Sequence, residues 1–571
     1  MIPKVQPALP LNVDTRWPRP AAWRKWLPGR ALALPLFITL LVLLPIAAMM
    51  GRLLSPDWAL WRSLWETILP PMLLNTFVLV AGVGVGTFVV GTGFAWLVSA
   101  YQFPLRGFFD KALMLPLAVP TFVIGFVFMA IFDFAGPVQT WWRATFGRDA
   151  FFPDIRSAGG VIFVMTLVLY PYVYVLARAA FHEQSANTIE SARVMGLNRR
   201  QTFFRLVLPM ARPSLAAGAL LAMMEALTDY GTVKFFSFPT LSEGIVRLWE
   251  GRMDRDSAIQ LASLLLFFAL GMMMMERALR GRARYYQAGG GARGRRALRH
   301  PLQGWKAAAA LLACVALLGV AFVLPVAQLV VWTIHEINRQ TVGGWQQTYF
   351  TYIGNSVSFA GAAVVVVLMC SVLVAHGVRS TSMQGGRRIA RWIARLVTLG
   401  YALPGAVVAV GMLLFLSPID FGLNDLANAL GLQRPGLILT GTMTGLVYAY
   451  TVRFMSVGYN SVESSLEKIT PNMEHAARTL GAKPYQILRR VHLPMLSAGM
   501  AAGAVLVFVD VMKELPATLM LRPFGMDTLA LWAYFLVSES FWQAAALPSL
   551  TILAVGIVPV LLLMRVGAKP S

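Results

Sequence analysis

Apolar stretches of 18 or more residues recur along the whole 571-residue chain. Each can cross a hydrocarbon core of roughly 30 Å at about 1.5 Å per residue of helix. No water satisfies a peptide group inside that core, so a spanning segment must be a helix or a strand of a closed barrel. The ten-residue alternating segments of a barrel are absent. The chain therefore reads as an all-α polytopic membrane protein. Its composition agrees, with 57% hydrophobic and 13% charged residues and a mean hydropathy of +0.64.

The apolar runs predict about 12 transmembrane helices. They lie near Ala31 to Met50, Leu73 to Tyr101, Ala112 to Ile131, Gly160 to Ala177, Pro213 to Thr232 and Ala258 to Met275. After a basic stretch follow Ala307 to Ile334, Asn355 to Val378, Leu396 to Leu416, Leu437 to Val457, Ala498 to Leu521 and Phe541 to Met564. The first run is longer than a signal-peptide core and is expected to be retained. Residues 1–275 and 307–571 form two six-helix halves. Residues 276–306, which include the run Ala288 to Ala292, read as a flexible basic cytoplasmic linker.

The formal net charge is +23. With the amino terminus inside, the Lys/Arg excess falls on the inside segments, which favours two cytoplasmic termini. These basic residues are spread over several loops and lack interleaved base-stacking aromatics, so no nucleic-acid partner is expected. Cys314 and Cys370 lie inside apolar runs and imply neither a disulfide framework nor a metal site.

An internal repeat places the loop of interest. The thirty residues from Glu190 align without gaps with the thirty from His475, and twelve positions are identical. Shared landmarks include Gly196 with Gly481, Gln201 with Gln486, and Leu208-Pro209-Met210 with Leu493-Pro494-Met495. Asn75-Thr76 pairs with Asn355-Ser356, and Pro120 with Pro404. Each copy holds an even number of spans, so the halves enter the membrane in the same direction, related by an axis along its normal. The repeated segment lies on the inside loop between the fourth and fifth spans. Thr470-Pro471 supplies a helix start and Gly481 a left-handed helix end, while Asn198 can start a helix after Gly196. Each loop is expected to be a helix, a glycine bend and a second helix returning at Leu-Pro.

The pattern E-A-A-x-x-x-G followed about a dozen residues later by L-P, in close variants at both loops, resembles the cytoplasmic motif of permease subunits in binding-protein-dependent ATP-binding-cassette importers. The segments from Glu225 and from Asp510 resemble fused, two-half ferric iron permeases, and fused permeases for thiamine or other small solutes share the architecture. The resemblance implies two ATP-binding-cassette ATPase subunits, a periplasmic substrate-binding protein and a place in the bacterial inner membrane. It implies ATPase coupling at Glu190 and Gly196 in the first half and at Gly481 in the second. There His475 stands at the motif's acidic position and Glu474 one residue earlier, so both join the candidates.

No G-x-x-x-x-G-K-[ST] sequence occurs, so ATP and Mg are expected to be used by the partner ATPase, with no cofactor on this chain and no catalytic residues. The costly intramembrane charges are Glu225 and Asp229 in the fifth span, and Asp510, Lys513 and Glu514 in the eleventh. Each charge is disfavoured by about 2.5 to 3.5 kcal/mol and turns toward a partner or cavity. The i, i+4 spacing of Glu225 with Asp229, and of Asp510 with Glu514, predicts acidic pairs on one helix face. They are candidates to line a pathway, where carboxylates suit a hard cation; alternatively Lys513 pairs with a carboxylate across the helix interface. Arg453, near the expected end of the tenth span, is assigned no transport role. The six histidines show no close ligand spacing.

Two other classes are disfavoured. A secondary carrier with two parallel halves would carry G-x-x-x-D-[RK]-x-G-[RK]-[RK] where this chain reads QFPLRGFFDK. An intramembrane enzyme would need a clustered nucleophile and base.

Overall fold

The computed structural model describes residues 30–54, 57–183, 194, 196–251, 254–287, 299–339, 345–383 and 386–566. Among them, ten helices are long and apolar enough to cross a membrane. The first half contains α1 (Arg30–Leu54), α2 (Leu69–Ala100), α3 (Thr121–Phe132), α4 (Ala158–Glu183), α5 (Leu208–Thr228) and α6 (Arg255–Gln287). The second contains α7 (Trp305–Arg339), α8 (Trp345–Met383), α9 (Gly405–Ala429), α10 (Met443–Leu466), α11 (Leu493–Met512) and α12 (Ala546–Val566). Helices α10, which is more polar, and α12, whose apolar part is shorter, stand where the repeat requires a fourth and a sixth helix.

In each half the second, fourth and fifth helices pack as a triplet: α2, α4 and α5, then α8, α10 and α11. Small residues set how closely they approach. A Cβ on Gly218 of α5 would lie 2.8 Å from Val173 Cα of α4, and one on Gly503 of α11 would lie 3.0 Å from Ser461 Cβ of α10. The first helices cross over. Helix α1 packs against α8 and α9 of the second half, with the Tyr448 hydroxyl donating to Leu41 O at 2.5 Å, and α7 packs against α3 of the first.

Apolar periodicity does not show where a helix stops inside the membrane, and four expected spans are broken. The third and ninth runs start as 3₁₀ turns, Leu115–Ala118 and Leu399–Ala402, and only become α-helical after Pro120 and Pro404, both extended with ψ near 140°. Proline pushes the residue before it out of the helical region, which explains both breaks. The fifth and eleventh helices end at Thr228 and Met512, short of the expected Thr232 and Leu521, and short helices Gly231–Phe235 and Pro516–Leu521 follow. In the linker region, α6 continues to Gln287, and His300–Pro301 forms a two-residue parallel pairing with Tyr101–Gln102.

The paired landmarks Asn75-Thr76 and Asn355-Ser356 clamp the chain between the fifth and sixth helices. The Asn75 amide donates to Pro239 O and the Asn355 amide to Asp527 O, while Thr76 and Ser356 hydroxyls accept from the backbone N–H of Leu241 and Leu529. Each clamp satisfies backbone groups that would otherwise be orphaned in an apolar setting.

Substituting Gly218→Leu is expected to force α4 and α5 apart and destabilise the protein by about 1–3 kcal/mol. Gly93→Leu, where a Cβ meets nothing within 4 Å, is expected to change little. Equal melting temperatures for the two variants in detergent would contradict this packing.

Candidate functional site

Two elbows and one central cavity hold the candidate residues. In the second half, the helix Pro471–Thr479 ends at Gly481 with φ +80, and backbone bonds from Leu480 N to Ala476 O and from Ala482 N to Ala477 O close the turn. Gly196 has the same φ of +80. Left-handed backbone costs an L-residue about 1–2 kcal/mol, which accounts for glycine at both positions. The following helices start by matching devices. Gln201 Oε1 accepts from Asn198 N while Asn198 Oδ1 accepts from Gln201 N, and Gln486 Oε1 accepts from Lys483 N. That is the structural reason the two copies share this glutamine.

Each elbow then passes through a wide π turn, Phe203–Val207 and Leu488–His492, immediately before Leu-Pro-Met. Proline two residues later has no N–H for the i−4 carbonyl and its ring would clash with it, so the turn widens there. The same arrangement, Gly319–Val323 before Leu324-Pro325, occurs in α7.

Among the described residues, different side chains pack beside the two elbows. Trp96 of α2 packs against Phe203 and Phe181 at centroid distances of 4.8 and 5.5 Å. In the second half Arg379 of α8 donates to Glu474, to Leu466 O and to Ile469 O, and His492 Nε2 lies 3.2 Å from Glu474 Oε1. Glu474, only 1% exposed, is thus directed into the fold. His475, one residue on and about 100° further around the helix, is exposed. Glu190 lies outside the described residues. Gly196 and Gly481 have open space around them.

A cavity of about 480 Å³ lies between the halves, and all five intramembrane candidates, Glu225, Asp229, Asp510, Lys513 and Glu514, line it. They do not form two equivalent acidic pairs, because the helices stop between the partners. Asp229 is the C-cap of α5, extended at ψ 130. Its carboxylate accepts from Thr232 N at 2.8 Å and from the hydroxyls of Thr232 and Thr121. At the equivalent place Glu514 accepts from Ala517 N at 3.1 Å and pairs with Arg453 Nη1 at 3.0 Å. Both carboxylates therefore cap the short helix that follows. Lys513 Nζ pairs with Asp510 on its own helix at 2.9 Å rather than across the interface. Glu225 accepts a 3.4 Å bond from the Tyr172 hydroxyl.

Arg453 corrects the sequence expectation. Helix α10 continues well past the apolar run to Leu466, so Arg453 sits mid-helix in the cavity wall. Sequence separation also hid the approach of His376 Nδ1 to His492 Nδ1 at 3.0 Å, across 116 positions. Among the described residues no group of three or more His, Cys, Asp or Glu side chains is arranged to hold a metal ion. The cavity is electrically lopsided. The repeat offset places Val168 opposite Arg453 and Thr228 opposite Lys513, so both cations come from the second half. At the end of α5 remote from the elbows, Tyr230 and Tyr534 hydroxyls meet at 2.6 Å and join the halves.

The family described as the binding-protein-dependent transport system inner membrane component matches residues 87–275 and 367–569. The chain is 26% identical over 546 residues to the Fe(3+)-transport system permease protein FbpB 2 of Haemophilus influenzae, covering 94% of this chain and 99% of that protein. It is 30% identical over 270 residues to the sulfate transport system permease protein CysT of Escherichia coli, covering 44% of this chain and 94% of the relative.

Removing the guanidinium in Arg379→Met leaves the buried Glu474 short of its main partner and is expected to destabilise the second elbow by roughly 3 kcal/mol. The readout is faster proteolysis within residues 466–483 of the folded protein; a parent-like rate would contradict the anchoring role.

Proposed function

This chain belongs to the family of inner membrane components of binding-protein-dependent transport systems, and we propose that it is the translocation subunit of an ATP-driven importer that carries ferric iron into the cytoplasm. The observation that carries the reading is the pairing of two glycine-turned elbows with one carboxylate-lined cavity between the halves. Near full-length similarity to a ferric permease supports the choice of cargo.

The elbows are the surfaces on which two ATPase subunits would seat, with Gly196 and Gly481 at the contacts and ATP and Mg held by those subunits. Both termini and both elbows then lie in the cytoplasm, and a periplasmic binding protein delivers cargo to the opposite face. Each elbow leads through its π turn directly into α5 or α11. A push on the elbow is therefore delivered to the helix that carries Glu225 or Asp510. Alternate access requires the halves to separate at the Tyr230–Tyr534 contact while closing around the cavity.

Within the cavity, Asp229 and Glu514 are occupied as caps, and Asp510 is neutralised by Lys513. Glu225, which among the described residues accepts the long bond from Tyr172, is the carboxylate best placed to attract a passing cation. Oxygen donors suit ferric iron, and a weakly attractive wall allows release. Arg453 and Lys513 would be needed for sulfate, the cargo named for the half-length relative, but each is paired with a carboxylate.

The test is ATP-dependent uptake into vesicles holding the chain, its ATPase subunits and its binding protein, with labelled ferric iron, thiamine and sulfate offered in turn. Iron uptake is expected. Uptake of thiamine or sulfate instead would keep the mechanism and overturn the cargo, and gradient-driven uptake without ATP would overturn the mechanism. Gly196→Leu and Gly481→Leu are expected to abolish uptake while leaving insertion intact; normal uptake in both would overturn the coupling assignment.

A further inference from the structure

The helix Arg387–Val397, between α8 and α9, is the most amphipathic surface element of the described chain and plays no part in the cavity or the elbows. Ala390, Ile393 and Val397 are buried, and the helix packs against α1 and α8. On the opposite side Arg387, Arg388, Arg391 and Arg395 are all exposed, within an arc of about 100° at 3.6 residues per turn. No Asp or Glu occurs between Glu336 and Asp420. Among the described residues, none of the four guanidiniums has a carboxylate within ion-pair distance.

Two further observations place this face at a membrane surface. Trp392 is 56% exposed beside the arginine arc, with the Arg395 guanidinium 5.7 Å from its ring, the disposition of an interfacial anchor. Helix α1, on which this helix leans, exposes Leu34, Phe37 and Leu40 outward, so the contact lies at the lipid-facing rim of the bundle. Two crossings, α9 and α10, separate the helix from the elbow at Pro471–Thr479, which puts both on one face of the membrane.

The internal repeat shows that the fold itself does not demand this face. The corresponding helix of the first half, Arg106–Ala112, is shorter, and two of its three charges, Arg106 and Asp110, are tied inward, leaving Lys111. Arg106 donates to Val98 O at 2.7 Å, and Asp110 pairs with Arg178 at 2.5 Å. The same position in the same architecture carries one acid among two cations in one copy and, among the described residues, four arginines without a carboxylate partner in the other.

We infer that Arg387–Val397 is a docking face for anionic phospholipid headgroups of the leaflet on the elbow side, with the four arginines engaging phosphates and Trp392 seated among the headgroups. Arginine suits this role because its planar fork binds phosphate oxygens in pairs. The expected occupant is the membrane lipid rather than an acidic surface of a partner protein, because the face borders lipid-exposed α1.

The test places the wild-type chain, assembled with its ATPase subunits, in nanodiscs containing either photoactivatable phosphatidylglycerol or photoactivatable phosphatidylcholine. Phosphatidylglycerol is expected to label residues 387–397 several-fold more, with the excess shrinking as salt rises. The excess should vanish in the variant R387Q/R388Q/R391Q/R395Q and persist when the same four positions are Lys. Equal labelling of the wild type by the two lipids would overturn the inference, and this arm decides even where the Gln variant fails to insert. An excess that survives the Gln substitutions, or cross-linking of this helix to an ATPase subunit in place of lipid, would overturn it as well.

Discussion

The carboxylates of Asp229 and Glu514 end one helix and start the next inside the membrane, and the rest of the central architecture depends on them. A helix that stops in an apolar medium leaves N–H and C=O groups that cost several kcal/mol each if unmet. Here the side chain at the break reaches forward to the backbone N–H of Thr232 or Ala517, so the short helices Gly231–Phe235 and Pro516–Leu521 begin satisfied. The breaks at Pro120, Asp229 and Glu514 all lie in the wall of the cavity. A bundle of uninterrupted helices with the same hydropathy would close on itself.

That dependence explains what could be read from the sequence. Hydropathy places helices because burial of apolar side chains is additive along a segment, and among the described residues it located the ten that are long and apolar enough to cross a membrane. The glycine turns were equally legible, since Gly481 and Gly196 answer to a local backbone requirement. The breaks were not, because an acidic residue at i+4 looks the same whether the helix continues to it or stops before it. Asp229 and Glu514 were accordingly expected beside Glu225 and Asp510 on one helix face, where the structure has caps. Arg453 was misplaced for a related reason: the apolar run ends near it, but the helix continues through small and polar residues to Leu466.

The repeat was visible as identity at Gly, Gln and Leu-Pro-Met, and these are the positions where backbone geometry is constrained. Among the described residues, the side chains packed beside the elbows differ instead. Trp96, Phe181 and Phe203 hold the first elbow, and Arg379, Glu474 and His492 hold the second, with His376 brought against His492. The shift of the acid from the motif position to Glu474 has a physical reading: one residue turns a helical side chain by about 100°, enough to move a carboxylate from the outer surface into the fold. The exposed position is left to His475.

An aromatic cluster tolerates sliding because dispersion contacts are many, weak and non-directional, whereas a guanidinium bonded to one carboxylate and two carbonyls holds a single geometry. The second elbow is held at Glu474 by that directional set of bonds. It feeds α11, whose far end carries Asp510, Lys513 and Glu514 and faces Arg453. The first elbow feeds α5 and Glu225, which accepts the 3.4 Å bond from Tyr172. Both cations of the cavity wall, Lys513 and Arg453, also act electrostatically on Glu225, so a displacement of either half changes the field at that carboxylate.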